Sequence, residues 1–186
     1  MKKQIITTLI LILLLIPVGC SNDEHSDAKA TYVSEASDLI NFMKNDPYEN
    51  NPNNYSLINT SKLLIEEDAV RLEYEIFIQD PKVIMKEVIM SFHLADDMMN
   101  YLNANNVFHT NTDYDNSFDI TPAGEVEGAS LSRAFVLEPT KIDDKILSIY
   151  ETIYIKISYT VDSERIEDYF KMKISPSPEL EAYLIN

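Results

Sequence analysis

The chain has 186 residues, 31 of them acidic and 15 basic, for a formal charge of −16, with a single cysteine. A chain this acidic lacks the basic footprint that displaces counterions from phosphates, which excludes nucleic acid as a partner. One cysteine permits no internal disulfide and no multi-cysteine zinc site, while a hydrophobic content of 45% is ample for a folded core.

Met1 to Cys20 has the anatomy of a secretory signal. Lys2 and Lys3 give a positive start. Ile5 to Ile16 is apolar apart from Thr7 and Thr8, and the small residues Val18 and Gly19 precede Cys20. A spanning helix needs about twenty apolar residues, whereas polar Ser21 to Lys29 follows here at once. The ending Ile16-Pro17-Val18-Gly19-Cys20 resembles the lipobox of bacterial lipoproteins. Gly19 and Cys20 match that pattern; Pro17 departs from the usual leucine. The resemblance covers Met1 to Cys20 alone. It implies that residues 1–19 are a signal peptide and that the Cys20 thiol carries diacylglycerol. Cys20 then becomes the first mature residue, on the extracytoplasmic face of the membrane. Two acyl chains hold a protein stably where one is marginal. Removing 19 of 186 residues leaves 167, and losing Lys2 and Lys3 leaves 13 basic against 31 acidic residues, a charge of −18. With its one thiol acylated, the mature chain has no cysteine nucleophile, CxxC redox pair or thiolate metal site.

Residues 20–31 then read as the lipidated cysteine and a flexible polar tether, followed by one β-rich domain over 32–186. Ala36, Leu39, Ile40 and Met43 fall at helical spacing, which predicts a short helix from Ser34 or Ser37 to Lys44. Asn45 to Asn54, with Pro47 and Pro52, is a loop. Three strands follow: Leu57 to Glu66, Arg71 to Gln79 and Val83 to His93. The second alternates best, with Leu72, Tyr74, Ile76 and Ile78 on one face and Arg71, Glu73 and Glu75 on the other. Asp96 to Ala104 reads as a helix capped by Asp96 or Asp97. Val107 to Thr110 is a short strand, Asn111 to Ser117 a polar loop, Glu125 to Leu137 a long strand, and Ile142 to Ile149 a helical turn.

The last hairpin is the clearest element. Ile153, Ile155, Ile157, Tyr159 and Val161 alternate with Tyr154, Lys156, Ser158 and Thr160, and Asp162 to Glu164 makes the turn. Ile166, Phe170, Met172 and Ile174 return, and Asp168 is a misfit on the apolar parity. Pro176 and Pro178 end the sheet, and Leu180, Tyr183 and Leu184 suit a tail helix. The expected fold is mainly β, an antiparallel β-sandwich of immunoglobulin-like type with one or two short helices. The alternative is an α+β domain with a helix packed on a curved antiparallel sheet. In this layout the chain resembles small Ig-like lipoprotein domains of Gram-positive bacteria.

Chemistry is scarce along the sequence. There are three glycines, one of them Gly19, which is too few for phosphate-cradling loops, so turns fall to Asn, Asp and Pro. His93 and His109 have no partner at metal-ligand spacing and read as surface or strand-edge residues. Asp113 to Ser117 resembles the opening of an EF-hand loop, but Phe118 and Gly124 stand where Gly and a bidentate Glu belong. No nucleophile–base motif appears, and no cofactor or metal is expected. Tyr154 and Tyr169 share the outward parity of the hairpin and are the candidate ligand-contacting residues; a second layer over them is the alternative. The expectation is a membrane-anchored, non-enzymatic binding module, its partners the membrane through the Cys20 lipid and an envelope protein or cationic peptide. An immunity or sequestering lipoprotein for cationic peptides or toxins is the alternative, because an acidic surface attracts cations. An envelope hydrolase is a third reading.

Overall fold

A computed structural model of the chain describes residues 23–45, 48, 51–114 and 117–185. Cys20 and the signal segment lie outside the described residues, as do Asp115 and Asn116 of the EF-hand-like run.

Helix α1 (Asp23–Asn45) leads into strands β1 (Ser56–Ile65), β2 (Val70–Gln79) and β3 (Met85–Leu94). After a 3-10 turn over Asp96–Asn100 come β4 (Phe108–Thr110), β5 (Phe118–Ile120) and β6 (Gly128–Val136). A short α2 (Ile146–Ile149) precedes the hairpin β7 (Thr152–Val161) and β8 (Glu164–Lys173), and the chain closes with β9 (Ser175–Pro176) and α3 (Pro178–Ile185).

The strands make two sheets, and the protein is mainly β. The first runs β6-β2-β1-β9; the second runs β4-β3-β7-β8, with β5 paired to the start of β3. All pairings are antiparallel except β1 with β9, which makes the first sheet mixed. Two residues of β9 pair beside Thr60 and Ser61, so Pro176 extends an edge where its missing N–H costs nothing. On β2 the alternation is realised: Leu72, Tyr74, Ile76 and Ile78 are all buried. Gly128 opens β6 tight against β2; a Cβ there would lie 2.6 Å from the Ile78 carbonyl oxygen. The β7–β8 turn uses Asp162 and Ser163, both at positive φ (49° and 72°), which matches the right-handed twist of the flanking strands without any glycine.

Buried side chains of both sheets join one hydrophobic core, among them Ile76 and Phe135 from the first and Phe92, Ile155, Ile157 and Phe170 from the second. Each contributes on the order of 1.5–3 kcal/mol by leaving water. Helix α1 lies against β3, β4 and β7 with Leu39 fully buried, so the second sheet is also covered on the face away from that core. A helix packed on an antiparallel sheet, the feature of the α+β alternative, is therefore present beside a second sheet.

Several elements differ from the expectations. Helix α1 is 23 residues long and begins at Asp23, inside the segment read as a tether. Lack of apolar periodicity there does not preclude a helix: Glu24, Ala28, Lys29 and Ala30 are good helix formers, and Asp23 and Glu24 suit a helix start. The Asp96 helix is five residues of 3-10 turn with Ala95, not an aspartate, at its N-cap and no side-chain cap bond. Leu102, assigned to the same helix, instead bridges to Leu137. Only Ile146–Ile149 is helical within Ile142 to Ile149.

Candidate functional site

The two candidate tyrosines lie under or beside α1. In the β7–β8 register Lys156 stands opposite Tyr169 and Tyr154 opposite Lys171, so all four share the face away from the core. The Tyr169 ring stacks flat on Phe42 of α1, with centroids 3.9 Å apart and planes 9° apart. Its hydroxyl donates to Glu167 at 3.1 Å, and burial pushes that hydroxyl up to about 12. Tyr154 lies 5.8 Å from the Tyr48 ring. These rings belong to a second layer over the sheet.

Between helix and sheet lies a buried ionic cluster around Lys156. Its Nζ donates to Glu35 Oε1 and Asp38 Oδ2 of α1 and pairs with Glu167 Oε1 of β8, all at 3.1 Å. The Lys156 side chain is 1% exposed and that of Glu35 6%; Asp38 and Glu167 sit at the wetter margin. Ser158 donates to Glu35 Oε1 at 3.3 Å and Ser91 to Glu35 Oε2 at 3.1 Å, so both carboxylate oxygens are satisfied. Burial alone pulls the Lys156 ammonium down, but the three carboxylates outweigh it and hold the pKa above the ordinary lysine value. A lysine nucleophile or base needs the opposite shift. This cluster fastens; it does not activate.

A second buried charge explains the misfit in the last strand. The Asp168 carboxylate faces the core, where Tyr55 and Tyr159 donate to its Oδ2 at 2.9 and 3.1 Å. Asn54 donates in turn to the Tyr159 hydroxyl at 2.9 Å. Burial raises the Asp168 pKa above the ordinary value and the two hydroxyls pull it part of the way back.

Both histidines of the domain are buried, each 5% exposed, rather than on the surface. His109 lies on the edge strand β4 opposite Phe92, while His93 lies opposite Phe108. Phe108 and His109 are neighbours along β4, so the two imidazoles point to opposite faces of the sheet and cannot share an ion. Among the described residues no group of three or more His, Cys, Asp or Glu side chains is placed to hold a metal. No helix among them is long and apolar enough to cross a membrane.

An open cleft lies at the end of the domain, where α3 meets the end of β1. It is a cleft of about 770 Å³ with apolar walls from Leu63, Ile65, Ile142 and Ile185 and acids Asp144 and Glu179 on its margin. Ile65 and Ile185, each 72% exposed, are the two most exposed large apolar side chains of the described residues. Asp143 also lines it but is engaged: the Tyr101 hydroxyl donates to it at 2.7 Å, and the backbone N–H groups of Lys145 and Ile146 donate to it at 3.0 and 3.3 Å. The Tyr101 bond first, then those N–H groups, hold the Asp143 carboxyl below the usual range, and Tyr101 is pushed up to about 12. A shallower depression of about 360 Å³ meets the cleft at Pro139 and adds Glu67 and Glu138.

No family model matches the chain, and no curated protein matches it significantly. The ion cluster and the cleft both escape a reading along the chain, because their members come from distant elements. The one signal in the sequence was the polar parity of β7, where Lys156 and Ser158 sit on a strand too central to stay bare.

Proposed function

We propose that this chain is a lipid-anchored extracytoplasmic lipoprotein whose β-rich domain is a non-enzymatic binding module. The observation that carries the anchor is the run Met1 to Cys20, in which the only cysteine of the chain stands where a lipobox places it. Diacylglycerol on Cys20 would tie the mature chain to the outer face of the membrane. In the finer fold reading, the two sheets are the layers of an immunoglobulin-like sandwich, with α1 as an added cover.

Two features favour binding over catalysis. The charged side chains buried in the domain are matched to fixed partners inside it, as Lys156 and Asp168 illustrate. The cleft combines apolar side chains with an acidic margin, a form that suits recognition. The test is Cys20→Ala followed by cell fractionation. The variant is expected in the medium or soluble fraction with the parent in the membrane fraction; full membrane retention of the variant would contradict the anchor.

A further inference from the structure

We infer that the cleft between α3, the end of β1 and the Pro139–Asp144 segment takes up a cationic, amphipathic peptide segment. This deepens the binding-module reading and rests on it. Ile65, the last residue of β1, and Ile185, the last residue of α3, both stand exposed at this one cleft. Exposing two such side chains side by side costs free energy that a partner recovers by covering them. Apolar side chains of the peptide would lie against Leu63, Ile65, Ile142 and Ile185.

Charge selects the class of occupant. The Asp144 and Glu179 carboxylates make no ion pair or hydrogen bond among the described residues, and Glu67 and Glu138 extend the same sign into the adjoining depression. Of the cations flanking the site, Arg71 is paired with Glu66 and Asp68 and Lys145 with Asp97, which leaves Lys141 against the larger set of carboxylates. Lysine or arginine on the peptide would therefore meet an excess of carboxylates over cations. A phospholipid headgroup is disfavoured because its phosphate faces the same carboxylates. A second copy of the chain is disfavoured because a two-fold contact would set this acidic face against an identical acidic face.

The test uses the chain as isolated from membranes, held in nanodiscs of neutral phosphatidylcholine, with empty nanodiscs as the blank. The probe is a fluorescent twelve-residue peptide of lysine and leucine at helical spacing. Its controls are a glutamate–leucine counterpart and a lysine–serine counterpart. Saturable binding of the lysine–leucine peptide alone is expected, weakening as salt rises. Asp144→Lys with Glu179→Lys should weaken it about tenfold or more, and so should Ile65→Ser with Ile185→Ser. All four positions are exposed, so unchanged thermal melting of the variants reports an intact fold. Equal affinity in either variant, or equal binding of the glutamate–leucine peptide, would overturn the assignment. So would a parent that sediments as a dimer with monomeric variants, which would give the cleft to a second copy. The mass of the same sample reports the lipid, so failed peptide binding with the lipid present rejects the cleft and leaves the anchor standing.

Discussion

Glu35 of α1 and Lys156 of β7 meet at 3.1 Å although 121 residues separate them in the chain. The contact fixes the first helix onto the second sheet, and it is nearly dry. Taking such a pair out of water is costly, and the serine hydroxyls on Glu35 together with Asp38 and Glu167 offset that cost. The cluster is therefore an all-or-none fastening: intact it is tolerable, and with one member missing it leaves a buried charge.

Lys156→Met should cost about 3–5 kcal/mol in urea unfolding, because Glu35 is left buried without its cation. Adding Glu35→Met should restore much of that loss, since an apolar pair replaces an ionic one. A double variant no more stable than Lys156→Met would show that the helix is held by other contacts. The pH dependence follows from the raised Lys156 pKa. The stabilisation is complete below the ordinary lysine value of 10.5 and is lost as pH rises through the higher folded value.

Asp168 predicts a dependence in the acid range. Its pKa is raised above 3.8 in the folded chain, so its contribution to stability is present below that value and is lost as pH rises through the folded one. Asp168→Asn keeps an oxygen for the Tyr55 and Tyr159 hydroxyls and removes the buried charge. The variant should gain on the parent as pH climbs from 3 towards neutrality, measured by urea midpoints at each pH. A variant that instead loses ground over that range would contradict the assignment. Asp168→Ala removes the acceptor to which both hydroxyls donate and should be destabilising by about 1–3 kcal/mol.

The Tyr32 ring of α1 lies 5.2 Å from Phe108 on β4. Lys29 and Ala30 before it are exposed. Deleting residues 22–30 should therefore leave stability within about 0.5 kcal/mol of the parent. Extending the deletion through Met43 removes Glu35, Leu39 and Phe42 and should abolish cooperative thermal unfolding. A large loss from the shorter deletion would show that the start of the helix packs on the domain.

Legibility along the sequence followed the reach of each interaction. Leu72, Tyr74, Ile76 and Ile78 declare their strand because the period of two is written in neighbouring residues. The β7–β8 hairpin is legible for the same reason, and its Asp162–Ser163 turn sits where the polar cluster predicts it. Strands β5 and β9, three and two residues long, carry too little pattern to see. Glu35 and Lys156 each look like a solvated charge until the fold brings them together. Asp168 was visible as a misfit, but Tyr55, which satisfies it, lies 113 residues away. The cleft was hidden likewise, because Ile65 and Ile185 look like ordinary strand and tail residues.

The lipid anchor depends on Cys20, and the mass of the protein isolated from cell membranes tests it directly. The predicted species begins at Cys20, is 167 residues long by the loss of 19, and carries a diacylglyceryl adduct on that residue. A chain that retains Met1, or a mature chain whose Cys20 is unmodified, would contradict it.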